Sequence, residues 1–222
     1  MRRALAMGLA LAGCGRGGDG TALASGLEGS VASELARCAS LEGSASSDWC
    51  AVETLTVASE SNGELMAQIC PRLGDVRARD VCLEAAVRHQ TRPADAATCD
   101  GINDEMTRSS CRLAVADRSL HGELAEAIDA CKTTEILVFH CASHIVEARA
   151  GLWPRGGAPV MSADVATLLA AFPGLEAWKD FGSSVGAVAL SLDLAPGEAH
   201  PCGVIPPGVA YDQCDRAAHG DR

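Results

Sequence analysis

His140, His144 and Glu147 are the residues whose types and spacing best suit chemistry in this chain. At about 100° per residue on a helix, the three side chains fall within a stripe about 60° wide. Two imidazoles one turn apart with a carboxylate beside them can hold zinc or another divalent ion, since neutral imidazole and carboxylate are its usual ligands. The metalloprotease arrangement H-E-x-x-H needs its glutamate between the histidines, and here the glutamate follows the second by three residues. The expectation is two solvated imidazoles on a polar helix face and no cofactor, with a divalent-metal site at His140, His144 and Glu147 as the alternative.

A second pattern is Gly182-Ser183-Ser184-Val185-Gly186, which satisfies G-x-S-x-G, with Asp193 and His200 following in serine–acid–histidine order. A nucleophile elbow needs a buried strand before the serine and parallel strands around it. The residues before 182 read as helix, and sixteen positions from serine to histidine leave no room for intervening βα units. A small-residue turn between helices is therefore expected, with no catalytic residue. No P-loop, dinucleotide fingerprint, EF-hand loop or haem-attachment motif is present.

The elements that position these residues are set out by cysteine. Of eleven cysteines, ten fall into pairs: Cys38/Cys50, Cys70/Cys82, Cys99/Cys111 and Cys202/Cys214 at a spacing of twelve, and Cys131/Cys141 at ten. On one continuous helix, residues twelve apart stand about 18 Å apart. A disulfide tolerates roughly 7 Å between α-carbons. The chain must therefore turn back within each interval, and Gly43, Pro71, Gly74 and Gly101 supply the breakers. Each pair then clips an αα-hairpin, and each short closed loop contributes about 3 kcal/mol on the chain-entropy view. Ten cysteines allow roughly a thousand connectivities, so pairing of nearest neighbours is an expectation. Structural zinc would favour close C-x2-C pairs, and there are none.

The first cysteines of the first four pairs recur at intervals of 32, 29 and 32 residues, the period of two-helix repeats. Cys70–Cys82 and Cys99–Cys111 share Cys, four residues, Asp, three residues, Arg, two residues, Cys. Helices are expected at Glu64–Cys70, Asp75–His89, Ala94–Cys99 and Asp104–Asp117, with Gly74 or Asp75 and Asn103 or Asp104 as N-caps. The i,i+4 pairs Asp75/Arg79 and Asp104/Arg108 read as solvated ion pairs of a few tenths of a kcal/mol.

Beyond Ala150, Gly151–Pro159 reads as a linker or long loop, followed by a helix capped by Ser162 and ended by Pro173-Gly174. Leu175–Phe181 is weakly helical, Val185–Leu192 fits helix or strand, and the tail from Pro196 reads as irregular. Trp49, Trp153 and Trp178 are expected to anchor the core.

Cys14 has no partner, and its setting explains why. Met1-Arg2-Arg3 is positive, Ala4–Leu11 is apolar, and Leu11-Ala12-Gly13-Cys14 resembles the lipobox of bacterial lipoprotein precursors. The resemblance covers residues 1–14 and implies cleavage before Cys14, whose sulfur and new amino group carry fatty chains of the palmitate kind. Several chains on one residue anchor stably where one would not. Residues 15–26 then form a Gly-rich tether. Removing residues 1–13 takes away two arginines and no acid, moving the formal charge from −11 to −13. So acidic a chain lacks the basic footprint that nucleic acid or anionic lipid requires. Seven aromatics leave a core of small aliphatic side chains, for which covalent staples compensate.

The expected organisation is a signal peptide at 1–13, a tether at 14–27, four αα-hairpin repeats at 28–150 and a helical or irregular capping region at 151–222. The fold class is all-α, a disulfide-stapled, solenoid-like stack. Its layout is loosely similar to cysteine-stapled helical repeats of the Sel1/TPR kind, but no unit carries their side-chain consensus. The expected role is non-catalytic: a protein held in a bacterial cell envelope by its N-terminal lipid, meeting a protein partner there and no nucleic acid.

Overall fold

The computed structural model describes residues 29–57, 63–89, 96–154, 157–192 and 199–219. Cys14, the signal and tether segments, and Asp193 lie outside the described residues. Among the described residues all regular structure is helical, as the cysteine spacing and periodicity predict, and five disulfides staple it. No described helix is long and apolar enough to cross a membrane. Five disulfides fit an oxidising, extracytoplasmic compartment.

The chain divides into two compact units, one ending at Cys111 and one beginning at Arg112. The division falls inside a helix, whereas the break in sequence pattern lies at Gly151.

In the first unit, helices α1 (Gly29–Ala39) and α2 (Ser44–Val57) are clipped by Cys38–Cys50, with 5.3 Å between α-carbons. Gly43 makes the turn at φ 90°, a left-handed conformation that glycine adopts without a Cβ clash. Helices α3 (Gly63–Ile69) and α4 (Val76–His89) are clipped by Cys70–Cys82. The third clip, Cys99–Cys111, joins a 3-10 segment, Ala96–Gly101, to α5 (Glu105–Ala116). That segment replaces the α-helix expected at 94–99, and residues 90–95 are not described. Gly101, the last residue of the segment, disfavours its continuation as an α-helix. Val52, Leu55, Met66, Leu73, Ala78, Val87 and Ile102 fill this unit's interior.

The caps reveal a device that joins successive hairpins. Asp75 Oδ1 accepts from the backbone N–H of Ala78 at 2.8 Å, and Asp104 Oδ1 from that of Thr107 at 2.8 Å, so both predicted N-caps form. The backbone N–H and the hydroxyl of Thr107, both donating to Asp104 Oδ1, hold that carboxyl below its ordinary pKa, helped by nearby Arg108 and Arg77. These carboxylates therefore cap their helices instead of serving chiefly as i,i+4 partners of arginine. Arg108 Nη1 donates to the carbonyl of Ile102 at 3.1 Å. Behind each cap stands a buried aspartate of the preceding hairpin, two residues before that hairpin's second cysteine. Asp48 Oδ2 accepts from the Asp75 N–H at 2.7 Å. Asp80 accepts from the N–H groups of Asn103 and Asp104 at 3.1 and 3.0 Å, and from Asn103 Nδ2 at 3.2 Å. Orphan donors at each helix start are thus satisfied by the neighbour's core.

In the second unit, α6 (Leu124–Lys132) and α7 (Val138–Arg149) form the hairpin clipped by Cys131–Cys141. Its interval is two residues shorter, and the turn is completed by Glu135 at φ 52°, whose carboxylate pairs with Arg112. Helix α8 spans Ala158–Ala171, starting five residues earlier than a Ser162 cap implies. Pro159 lies in its first turn, where a missing N–H costs nothing, so the proline starts the helix instead of belonging to a linker. Gly174, at φ 95°, follows its end. Helix α9 (Lys179–Ser191) absorbs Phe181 and the ambiguous Val185–Leu192 stretch up to Ser191, with Leu192 as its C-cap.

The tail is not irregular throughout: a 3-10 turn, Pro201–Val204, precedes helix α10 (Val209–His219), and Cys202–Cys214 clips the two. Met161, Val165, Leu168, Phe181 and Val185 share one core with Ile145 and Val146 of α7. Trp153 anchors it at 6 % exposure, its Nε1 donating to Asp164 Oδ2 at 2.9 Å. Trp49 and Trp178 are not core anchors. Both lie on the surface, and Trp178 tilts against Phe139 with ring centroids 5.9 Å apart.

Candidate functional site

Helix α7 carries His140, His144 and Glu147 along one side, as the spacing predicts, but the three do not converge. The imidazoles of His140 and His144 are in contact, with ring centroids 4.4 Å apart. Glu147 is engaged elsewhere, its Oε1 accepting from Ser184 Oγ of α9 at 2.7 Å. The third group beside the histidines is instead Asp117, whose Oδ1 lies 3.1 Å from His144 Nδ1. Among the described residues, no group of three or more His, Cys, Asp or Glu side chains is placed to hold one metal ion together.

Asp117 follows α5 by one residue and was not singled out by spacing, being 27 positions from His144. Only the folded hairpin brings it there. The Asp117 hydrogen bond holds the His144 imidazole above its ordinary pKa of 6.5, against an opposing effect of burial, with Glu147 adding attraction. A histidine raised in the folded state contributes stability that is full below its unfolded pKa and is lost as pH rises through the folded value. In an NMR titration His144 is expected to titrate above 6.5, and Asp117→Asn is expected to bring it down. A value at or below 6.5 in the parent protein contradicts the contact.

The G-x-S-x-G residues lie inside α9, with helix on both sides of Ser184 and no strand before it. Ser184 is 8 % exposed and its hydroxyl donates to Glu147, so the strained strand-to-helix turn of an elbow is not formed. The glycines serve packing instead. A Cβ on Gly182 would lie 2.0 Å from the carbonyl oxygen of Ala210, and one on Gly186 would lie 2.3 Å from that of Cys214. Glycine at 182 and 186, four residues apart on one face, lets the α9 and α10 backbones touch.

His200 caps the 3-10 turn, its Nδ1 accepting from the Cys202 N–H at 3.2 Å, and its ring stacks on His219 at 6.0 Å. Burial and then the neighbouring His219 hold its pKa below the ordinary 6.5, with Asp215 opposing. Stability from this depressed base is full above 6.5 and is lost as pH falls through the folded value.

No protein-family model, curated protein or solved structure matches this chain.

Proposed function

We propose that this chain is a non-catalytic, lipid-anchored protein of a bacterial cell envelope that presents a rigid helical surface to a protein partner. The observation that carries this reading is the pair Trp49 and Val81, each one residue before the second cysteine of consecutive hairpins. They are 43 % and 38 % exposed on helices pinned by disulfides. An exposed tryptophan on an element that cannot relax loses little freedom on binding, and tryptophan is enriched among residues that dominate interfaces. Anchoring through Cys14 would hold this surface within a tether's reach of the membrane.

The test has two arms in cells producing the full chain. Labelled palmitate is expected in the mature protein and absent from Cys14→Ser. A photo-reactive residue placed at 49 or 81 is expected to give one discrete crosslinked adduct, whereas one at exposed Asp129, on another helix, gives far less. Label retained in Cys14→Ser refutes the anchor. No adduct at 49 or 81, or equal adducts at all three positions, refutes the docking surface.

A further inference from the structure

We infer that His140 and His144 form a two-imidazole site for a divalent first-row transition ion, with Asp117 orienting His144 from behind. Helix α7 sets the two rings one turn apart with centroids 4.4 Å from each other, close enough for one ion to bridge them. Asp117 offers only acceptor oxygens when ionised, so at 3.1 Å His144 Nδ1 must be the donor. The lone pair of His144 then sits on Nε2. That is the carboxylate–histidine–metal arrangement, in which the carboxylate fixes the tautomer and ring orientation and raises ligand basicity. Neither ring nitrogen of His140 is hydrogen-bonded to a described residue, so either can turn to an ion.

Glu147 is not a third ligand, because its carboxylate accepts from Ser184. Two protein nitrogens leave the remaining positions to water. Paired imidazoles favour copper, nickel and zinc over magnesium and calcium, which take oxygen ligands, and among these Cu2+ binds tightest.

The test uses the full, oxidised chain stripped with chelator and titrated with Zn2+ or Cu2+ against a chromophoric competitor at neutral pH. One ion per chain is expected, with Cu2+ tighter than Zn2+ and Mg2+ not competing. His140→Ala and His144→Ala are each expected to weaken binding at least about tenfold. Asp117→Asn is expected to weaken it by about ten- to a hundredfold, while circular dichroism is unchanged. Glu147→Gln is expected to change it by less than about twofold.

A second measurement needs no variant. Cu2+ added below stoichiometry to the parent protein is expected to broaden the ring signals of His140 and His144 before those of His89, His121, His200 and His219. Absence of binding, undiminished binding in the double histidine variant, or earlier broadening at His200 and His219 overturns the site. A loss in Glu147→Gln equal to that of a histidine variant overturns the two-imidazole ligand set, and an unchanged affinity in Asp117→Asn overturns the orienting role.

Discussion

Gly182→Ala is expected to destabilise the second unit by about 3 kcal/mol or more, the upper end for overpacked sites. Alanine has the higher helix propensity, which alone would favour the substitution by up to about 1 kcal/mol. Sterics decide the sign. The new Cβ would stand 2.0 Å from the Ala210 carbonyl oxygen, well inside contact distance, and 2.7 Å from the Ala210 Cα. Those neighbours are backbone, so no side chain can rotate away, and α9 and α10 must separate. Gly186→Ala meets the Cys214 carbonyl oxygen at 2.3 Å and the Ala217 Cβ at 2.7 Å, and belongs to the same class. Gly203→Ala is the control, since its Cβ meets nothing within 4 Å. A unit of this size is expected to lose about 10 °C or more of melting temperature in Gly182→Ala. A melting temperature equal to or above the parent's would show that the two backbones are not in contact.

Asp80→Ala is expected to be the most damaging polar substitution in the first unit, at about 2–4 kcal/mol. Asp80 is 3 % exposed and accepts three hydrogen bonds, two of them from backbone N–H groups that open α5. Its removal leaves those donors without their acceptor and takes a negative charge from a helix N-terminus, where it is favourable. Asp80→Asn keeps one acceptor oxygen and should fall between parent and alanine. Asp48→Ala, for which the Asp75 N–H is the corresponding contact, should cost less than Asp80→Ala. Urea unfolding of the oxidised protein measures the order. If Asp48→Ala and Asp80→Ala cost the same as an exposed aspartate such as Asp129, the carboxylates do not join the hairpins.

Much of the hairpin architecture was legible because cysteine spacing is a metric constraint. Ten to twelve residues cannot hold a bridged pair unless the chain reverses, whatever the other side chains are. The caps at Asp75 and Asp104 were legible for a similarly local reason, since an N-cap bonds within three residues. Asp48 and Asp80 were not, because their partners lie 23 to 27 positions away in the next hairpin. The usable signal is that both stand two before the second cysteine, but Ser109 and Phe139 occupy that position in the next two hairpins. At the candidate site, periodicity placed His140 and His144 together on α7 but could not find Asp117, nor foresee that Ser184 would draw Glu147 aside. The G-x-S-x-G pattern misleads because it also spells small residues four apart, which is a helix-packing signal. Helix α10 was hidden by the prolines and glycines just before it. Val209–His219 itself contains neither.

Peptide mapping of the exported protein without reduction tests the stapled-hairpin architecture most directly. Five crosslinks are predicted: Cys38–Cys50, Cys70–Cys82, Cys99–Cys111, Cys131–Cys141 and Cys202–Cys214, with no free thiol among these ten. A crosslink between members of different pairs, or free thiols at any of these positions in most molecules, would contradict it.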